Sequence, residues 1–278
     1  ISLTSVTISD SVTSIEGGAF WGCSSLASVI IPDSVTSIEN WVFSGCISLT
    51  SIEVGEGHPQ YSSENGVLFD KNKTTLIQFP NGKTGHYTIP FNVTGIGMGA
   101  FEGCSSLTSV TISDKITIIE DWTFWGCSSL ASVIIPDRVT RIGTETFEGC
   151  SSLTKIIFEG NAPVLFTGIF GNRLRGVSEN AKIYINPGAT GFGKIFGGLP
   201  VHIINNFKIN SFNNSNNQFE IRFVTKSDST YTIEVTQDFL KWDEIGEIKG
   251  TGTTVRFIDP RLPVVPFKRN FFRVKEKQ

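Results

Sequence analysis

Three histidines are the side chains best suited to general acid–base chemistry near neutral pH, and they stand at positions 58, 86 and 202. His58 and His86 flank a segment that also carries Asp70 and the serine pair 62–63, so a hydrolase centred on these histidines can be imagined from residue types alone. Serine is common throughout the chain, however, and no Gly-x-Ser-x-Gly nucleophile turn occurs. We therefore predict that His58, His86 and His202 are exposed loop residues and that the chain is not an enzyme.

Five cysteines could bind a metal or form disulfides, and all five occur in one local sequence, Phe-x-Gly-Cys, with a leucine three positions later. They are Cys23, Cys46, Cys104, Cys127 and Cys150. No Cys-x-x-Cys pair occurs and the histidines are scattered, so we expect no zinc and no other cofactor. An odd number of cysteines cannot pair completely, and a buried free cysteine behaves as a small apolar residue. The pattern predicts a ladder of reduced, packed thiols, with disulfides as the alternative.

Two further patterns contain the residue types of a glycosidase site or of a phosphate-binding loop, but their sequence surroundings do not match such sites. Glu120 and Asp121 form a carboxylate pair on a turn, where solvated surface charge is a better interpretation than glycosidase chemistry. The glycine-rich stretch 188–200, GATGFGKIFGGLP, lacks the lysine–hydroxyl ending of a phosphate-binding loop and any strand–helix context. Neither pattern predicts a functional site.

Four tryptophans lie on turns near the phenylalanines of the cysteine pattern: Trp21, Trp41, Trp122 and Trp125. Indole rings on a surface can stack on sugar rings, so a carbohydrate site is one interpretation. The tryptophans skip some copies of the pattern and form no continuous ladder. We favour the other interpretation, in which they pack against neighbouring turns.

The elements that must position these side chains are copies of one repeating unit. The thirteen residues WGCSSLASVIIPD at 21–33 recur unchanged at 125–137, an offset of 104 residues. This offset resolves into units of 23 residues with one longer unit of 35. The units are 8–30, 31–53, 54–88 (the long unit), 89–111, 112–134 and 135–157. One unit cannot bury its apolar residues alone, whereas stacked units can, so the repetition predicts a solenoid over residues 1–204.

Each unit contains Leu-x-x-Val-x-Ile, which alternates with the period of a strand that has one buried face. Stacked strands then present an outward row of small polar residues with scattered isoleucines. We predict that this row is an exposed protein-docking face, with an ordinary soluble sheet surface as the alternative. The row consists of Ser28, Ile30, Ser51, Glu53, Ser109, Thr111, Ser132, Ile134, Lys155 and Ile157.

The segments CSSLASVIIPDSVTSIENWVF at 23–43 and CSSLTSVTISDKITIIEDWTF at 104–124 closely resemble leucine-rich repeats of the BspA type, also called the Treponema type. The resemblance covers residues 1–157. The stretch YSSENGVLFDKNKTTLIQFPNGK at 61–83 resembles the hairpin-bearing coil of that family, and residues 158–204 resemble its irregular closing coils. The resemblance implies a mainly β, right-handed leucine-rich repeat solenoid that binds without catalysis. It also implies adhesion to matrix or host proteins, or to other cells, from the cell surface or in secreted form.

Residues 205–278 are predicted to form a separate, small β-sandwich. An asparagine-rich stretch at 205–217 is typical of a linker. Short alternating runs follow at 219–224, 231–236, 254–259 and 271–275. The runs YTIEVTQDFLKW and KRNFFRV are similar to a module at the carboxy ends of large surface proteins in planctomycete- and verrucomicrobia-like bacteria. We expect Trp242, Phe271 and Phe272 to be its core aromatics.

Charge and hydropathy limit the partners. A net charge of −3 gives no reason to expect nucleic acid, and no apolar stretch approaches the roughly 20 residues of a membrane-spanning helix. The chain begins at Ile1 in mid-pattern, so we expect further coils and any export signal upstream. The expected partner is a protein. A polysaccharide is the alternative, in which the chain is a carbohydrate-binding or envelope-anchoring region of a larger extracellular enzyme.

Overall fold

The computed structural model consists of strands joined by turns. No helix occurs in the residues that the structure describes, which are 3–165, 176–186, 189–203, 209–213, 220–225, 227–236, 241–251, 253–258 and 271–277. None of these residues therefore belongs to a helix that could cross a membrane. Parts of the predicted closing coils and linker, including 166–175 and 214–219, lie outside the described residues. Close contacts divide the chain into two units, Ile1–Ile203 and Ile204–Gln278.

The first unit has eighteen strands among its described residues. They are β1 (Ser14–Ile15), β2 (Ser28–Ile31), β3 (Ser37–Ile38), β4 (Ser51–Val54), β5 (Tyr61–Glu64), β6 (Val67–Asp70), β7 (Thr75–Gln78), β8 (Gly85–Thr88), β9 (Gly95–Ile96), β10 (Leu107–Thr111), β11 (Ile118–Ile119), β12 (Ser132–Ile135), β13 (Arg141–Ile142), β14 (Lys155–Phe158), β15 (Val164–Leu165), β16 (Lys182–Ile185), β17 (Ile195–Phe196) and β18 (Leu199–Ile203).

The coils stack in register, one repeat unit beside the next. In the parallel pair β10–β12, Ser109 lies opposite Ser132, and in the next pair Ser132 lies opposite Lys155. These strands belong to a sheet of seven in the order β17-β18-β16-β14-β12-β10-β8, while β2 pairs with β4. The Val-x-x-Ile segments form a second row of short parallel pairs, β1–β3 and β11–β13–β15. The predicted leucine-rich repeat solenoid is confirmed.

Equivalent apolar side chains form ladders through the core. The rings of Phe101, Phe124 and Phe147 stack with centroids 5.1 and 5.7 Å apart. The long unit contributes Phe79, whose ring lies 5.1 Å from that of Phe101. The five repeat leucines are completely buried: Leu26, Leu49, Leu107, Leu130 and Leu153. Each coil therefore covers the apolar side chains of its neighbour, as the repetition of the sequence predicts.

The five cysteines are free and buried, so the predicted ladder of packed thiols is present. The thiols of Cys46, Cys127 and Cys150 each donate to a phenylalanine carbonyl oxygen in the preceding coil at 3.1 Å. Burial raises the pKa of Cys46 to about 11, and it raises the pKa values of Cys127 and Cys150 well above the ordinary range. These thiols are protonated at neutral pH and contribute to packing.

The long unit adds a hairpin to the coil. Strands β5 and β6 pair antiparallel around Asn65 and Gly66, whose φ values of 52° and 75° are the pair of positive angles that a two-residue hairpin turn requires. Strand β6 lies between two parts of the core. Leu68 packs with the apolar cluster of the first coils, whereas Val67 and Phe69 pack with the cluster of the later coils. The hairpin strand therefore joins the two clusters.

The second unit has six strands among its described residues, namely β19 (Ile209–Asn213), β20 (Glu220–Val224), β21 (Thr230–Thr236), β22 (Asp243–Lys249), β23 (Thr254–Ile258) and β24 (Phe271–Glu276). They form two antiparallel sheets, β19-β20-β23 and β22-β21-β24, which share one apolar cluster. Its buried aromatics are Phe223 and Tyr231, with Phe272 at the edge. Trp242 is half-buried and is not part of this cluster, contrary to expectation, and the side chain of Phe271 lies outside the described part of the structure.

We expect Glu159 to make stability depend on pH. Burial raises the pKa of this carboxyl from 4.5 to about 7, and the nearby charge of Asp137 adds to the effect. A raised pKa means that the folded state binds the proton more tightly, so the contribution of Glu159 is fully present below about pH 4.5 and is lost as the pH rises to about 7. The difference in free energy of unfolding between Glu159→Gln and the wild type should therefore shift by about 1–3 kcal/mol in favour of the variant as the pH rises from 4.5 to 7.5.

Urea unfolding at both pH values measures this gain, and Glu179→Gln, which removes an exposed carboxylate, is the control. An equal pH response in the two variants would contradict the assignment of the effect to Glu159.

Candidate functional site

The outward row of the main strands is exposed in the first coils and buried further along. Ile30 is 67% exposed, whereas Ile134 and Ile157 are 3% and 4% exposed. The row sorts into exposed Ser28, Ile30 and Glu53, half-buried Ser51, Thr111 and Lys155, and buried Ser109, Ser132, Ile134 and Ile157. The prediction of one continuous exposed docking face is therefore wrong over β10, β12 and β14.

Lateral neighbours contribute to this burial. Strands β12 and β14 have hydrogen-bonded strands on both sides, so Ile134 lies in register beside Ile157, and Ile157 lies beside Tyr184. Ile30, by contrast, belongs to a sheet of two strands. Alternation along a strand predicts which side of the sheet a residue faces, but it does not predict what lies on that side.

His58 is completely buried, which contradicts the prediction of an exposed loop histidine. Its Nδ1 accepts the backbone N–H groups of Gln60 and Tyr61 at 3.1 and 3.0 Å. Its Nε2 lies 3.2 Å from the carbonyl oxygen of Pro32. These partners place the proton on Nε2, which donates to Pro32. His58 therefore connects the long unit to the unit before it.

The other residues of the imagined hydrolase centre also hold turns of the long unit. The carboxylate of Asp70 accepts the backbone N–H of Thr74 at 2.6 Å. The hydroxyl of Ser62 donates to the backbone carbonyl of Asp70 at 2.7 Å. His86 and His202 are exposed, as predicted, but they lie on strands β8 and β18 and not on loops. The arrangement of Ser62 and Asp70 is that of turn-stabilising side chains.

Three of the four tryptophans gather at one cleft, which has a volume of about 280 Å³. It is lined by Trp41, Glu102, Trp122, Trp125 and Glu145, and we call these five residues the tryptophan cleft. The rings of Trp41 and Trp122 meet edge to face, with centroids 5.6 Å apart and an angle of 70° between their planes. Trp41 and Trp122 thus pack against each other, and their rings also border an open space.

The side chains that line the cleft come from two sets of equivalent positions in successive repeat units, and we call each set a column. Trp41, Trp122 and Glu145 stand two positions before the phenylalanine of their turns. Glu102 and Trp125 stand one position after it. Residues of different coils therefore meet because equivalent positions lie side by side in the stack.

The column two positions before the phenylalanine has a left-handed backbone in each 23-residue unit with a Phe-x-Gly-Cys turn. Gly18 and Gly99 have φ values of 73° and 63°, which glycine adopts at no steric cost. Trp41, Trp122 and Glu145 have φ values of 60°, 55° and 52°. A non-glycine residue in this conformation costs roughly 1–2 kcal/mol. In three units, therefore, the sequence has a large side chain where the backbone favours glycine.

The long unit allows the units on its two sides to touch at this face. Ser44 and Glu102 are 58 positions apart in sequence, yet the Ser44 hydroxyl donates to Glu102 Oε1 at 2.9 Å. A Cβ atom on Gly99 would lie 3.2 Å from Nε1 of Trp41, so the indole of one unit lies against the backbone of the other. Because Gly99 has no side chain, Trp41 can reach across to Trp122.

Two carboxylates give the cleft a negative charge. Nε1 of Trp122 donates to Oε2 of Glu145 at 2.9 Å. Glu102 is 9% exposed, and burial raises its pKa, while the hydrogen bond from Ser44 opposes this rise. None of the five lining residues is a lysine or an arginine. The cleft therefore combines aromatic rings with uncompensated acidic groups among its lining residues.

Sequence reasoning found the three tryptophans of the cleft but missed Glu102 and Glu145. A signal for Glu145 was present in the repeat alignment, since its column contains Gly18 and Gly99 in other units. A residue that departs from glycine in such a column marks a site where the side chain matters more than the backbone preference. Glu102 had no such signal, because its column has no fixed residue type.

Comparison with known families agrees with the repeat pattern. The family model of the BspA type leucine-rich repeat region matches in six copies, over residues 1–85 and 77–178. The chain belongs to the BspA-type leucine-rich repeat family. The match to this family does not extend beyond residue 178, so the resemblance of the second unit to a surface-protein module stays a prediction.

Solved structures include similar repeats. A leucine-rich repeat protein from Eubacterium ventriosum is 31% identical, with a TM-score of 0.51, over 59% of this BspA-type chain and 44% of that chain. A leucine rich cell surface protein from Faecalibacterium prausnitzii is 33% identical, with a TM-score of 0.44, over 56% and 48%. The chain thus spans less than half the length of these two proteins. Among curated proteins, no match is found.

Proposed function

We propose that this BspA-type chain is a non-enzymatic binding protein, displayed on a bacterial surface or secreted, that adheres to a protein of a host matrix or of another cell. Membership of a leucine-rich repeat family supports a binding scaffold. The observation that carries the proposal is the left-handed backbone of Trp41, Trp122 and Glu145 around one cleft.

This backbone conformation has a cost that glycine would avoid. Three non-glycine residues at roughly 1–2 kcal/mol each are a substantial fraction of the 5–15 kcal/mol that keeps a typical domain folded. Strained residues of this kind cluster at binding and catalytic sites. Their concentration around exposed rings therefore supports a contact surface more than it supports packing.

The exposed part of the outward strand row is proposed as a second contact surface. It comprises Ser28, Ile30 and Glu53 on β2 and β4. Ile30 is the large apolar residue of this group, and Ile30→Ser in the assay below tests its contribution. A loss of at least threefold in affinity supports the second surface, and unchanged affinity removes it.

Binding of the full chain to immobilised collagen, fibronectin and laminin tests the main proposal, with a glycan array in parallel. We expect the wild type to bind at least one of the matrix proteins. The double variant Trp41→Ala/Trp122→Ala should bind about tenfold more weakly or worse, since buried aromatic anchors of an interface contribute 1–2 kcal/mol or more.

Trp21→Ala is the matched control, because Trp21 is 69% exposed and is not among the cleft residues. Thermal unfolding should show all variants folded at the assay temperature. Binding to glycans alone would favour the polysaccharide alternative. The proposal is also overturned if no matrix protein is bound, or if Trp21→Ala weakens binding as much as the double variant.

A further inference from the structure

We propose that the tryptophan cleft binds a lysine or arginine side chain of the partner protein. This inference rests on the proposed function and adds the chemistry of the contact. It follows from three properties of the cleft, namely its charge, the angle between its rings and its size.

The charge of the lining residues favours a cation. Glu102 and Glu145 both border the cleft, and each already accepts one hydrogen bond from a neutral donor, Ser44 and Trp122 respectively. A carboxylate has about four acceptor sites, so capacity remains on both. Hydrogen bonds from a charged donor to a carboxylate are about twice as strong as neutral ones. A guanidinium or ammonium group uses that capacity better than a neutral ligand.

The arrangement of the rings also favours a cation over a sugar. Ammonium and guanidinium groups are attracted to the faces of indole rings, and several rings around one site form an aromatic cage. The planes of Trp41 and Trp122 meet at 70°, so they form a corner. A corner encloses a compact group on two sides, whereas sugar rings stack on a single flat face. The indole N–H of Trp122 is already bonded to Glu145, which removes one donor that a sugar hydroxyl would use.

The size of the cleft matches a side chain. Its volume is about 280 Å³. Pockets for drug-sized ligands range from about 300 to 1,000 Å³, so this cleft is slightly smaller than that range. It is suited to one projecting side chain presented by a larger molecule.

Burial of Glu102 is consistent with this occupant. Burial raises the pKa of Glu102, since the charged form is less well solvated there. A cation seated between the rings would favour the ionised carboxylate and offset that effect. The positive charge of the partner therefore gains a carboxylate acceptor that is largely shielded from water.

The test uses the full chain labelled with 5-fluorotryptophan, which gives one ¹⁹F resonance for each of its five tryptophans. Single Trp→Phe variants assign the resonances. The probes are the peptides acetyl-Gly-Arg-Gly-amide and acetyl-Gly-Lys-Gly-amide at constant ionic strength. The matched neutral probe has citrulline in place of arginine, which keeps the shape and removes the charge.

We expect the arginine or lysine peptide to shift the resonances of Trp41, Trp122 and Trp125 in a saturable manner. The resonances of Trp21 and Trp242 should not move. The citrulline peptide should bind about tenfold more weakly or worse. Glu102→Gln and Glu145→Gln keep an acceptor oxygen and remove only the charge, and each should weaken peptide binding by about three- to tenfold.

Glu16→Gln removes an exposed carboxylate of the first coil and should leave peptide binding unchanged. Three results would overturn the inference: no shift of the cleft resonances at 10 mM peptide, equal shifts with citrulline, or an equal loss in Glu16→Gln. Cleft shifts produced by chitotriose but not by the charged peptides would assign the cleft to sugars and overturn it as well.

The matrix-protein assay separates this inference from the proposed function. If matrix binding is lost in Trp41→Ala/Trp122→Ala but kept in Glu102→Gln/Glu145→Gln, the proposed function stands and the cation inference fails. If matrix binding is absent altogether while the arginine peptide binds the cleft, the adhesion proposal fails and the cation site stands.

Discussion

Phe124→Ala will lower the free energy of unfolding by about 3–5 kcal/mol. Phe124 is completely buried, and its ring lies between those of Phe101 and Phe147 at 5.1 and 5.7 Å. Removing it leaves a cavity in the middle of a ladder and takes a stacking partner from two neighbours. The fixed register of the coils limits collapse around the cavity, so we expect a value near the upper end. Urea unfolding followed by tryptophan fluorescence measures the change.

Phe91→Ala is the matched control for this prediction. Phe91 is 71% exposed and has the ammonium nitrogen of Lys115 4.3 Å from its ring centroid, so its loss should change stability by no more than about 1 kcal/mol. Similar values for the two variants would show that the phenylalanine column is not the core of the stack. The aromatic ladder of this structure would then be incorrect.

His58→Ala should destabilise the chain by about 2–4 kcal/mol, although histidine is seldom a core residue. The change leaves the part-buried N–H groups of Gln60 and Tyr61 without their acceptor, and it removes one of two hydrogen bonds to the carbonyl of Pro32, which keeps that from Val35. Each buried group left unsatisfied costs about 1–3 kcal/mol, and entry of water offsets part of the sum. Thermal and urea unfolding of the purified variant measure the loss.

His58→Asn separates the two roles of the imidazole. An asparagine oxygen can accept the N–H groups two and three residues ahead, as in an Asx turn, but the side chain is too short to reach Pro32 as well. We therefore expect an intermediate loss for this variant. His202→Ala removes an exposed histidine and should have little effect. If the His58→Ala variant is as stable as the wild type, His58 does not have this buried role, and the sequence prediction of an exposed loop residue is correct.

The repeat alone was sufficient to predict the ladders. Leu130 and Cys127 are buried because they recur at fixed positions, and stacking gives each copy the same neighbours. The unchanged string at 21–33 and 125–137 therefore specifies packing, and the parallel register of Ser109 with Ser132 follows from the 23-residue period. Periodicity is a reliable guide where every unit has the same surroundings.

Sequence reasoning failed where units differ in their surroundings. Ile30 and Ile134 are copies of one position, yet one is exposed and the other is buried; the strand of Ile134 has paired strands on both sides, whereas that of Ile30 belongs to a sheet of two. His58 belongs to the long unit, which has no second copy to compare. The cleft depends on contacts between Ser44 and Glu102 across that unit, a spacing that the 23-residue period does not contain.

The long unit lets the units on its two sides meet and so builds the tryptophan cleft. The most direct test is a search for nuclear Overhauser contacts between the indole protons of Trp41 and Trp122 in the full chain in solution. Rings with centroids 5.6 Å apart should give clear cross-peaks. The control is the Trp41→Phe variant with label on the indole rings alone, in which these cross-peaks should disappear. Absence of these cross-peaks from the wild type, with the resonances of both rings assigned, would show that the two rings do not meet and that the long unit does not build this cleft.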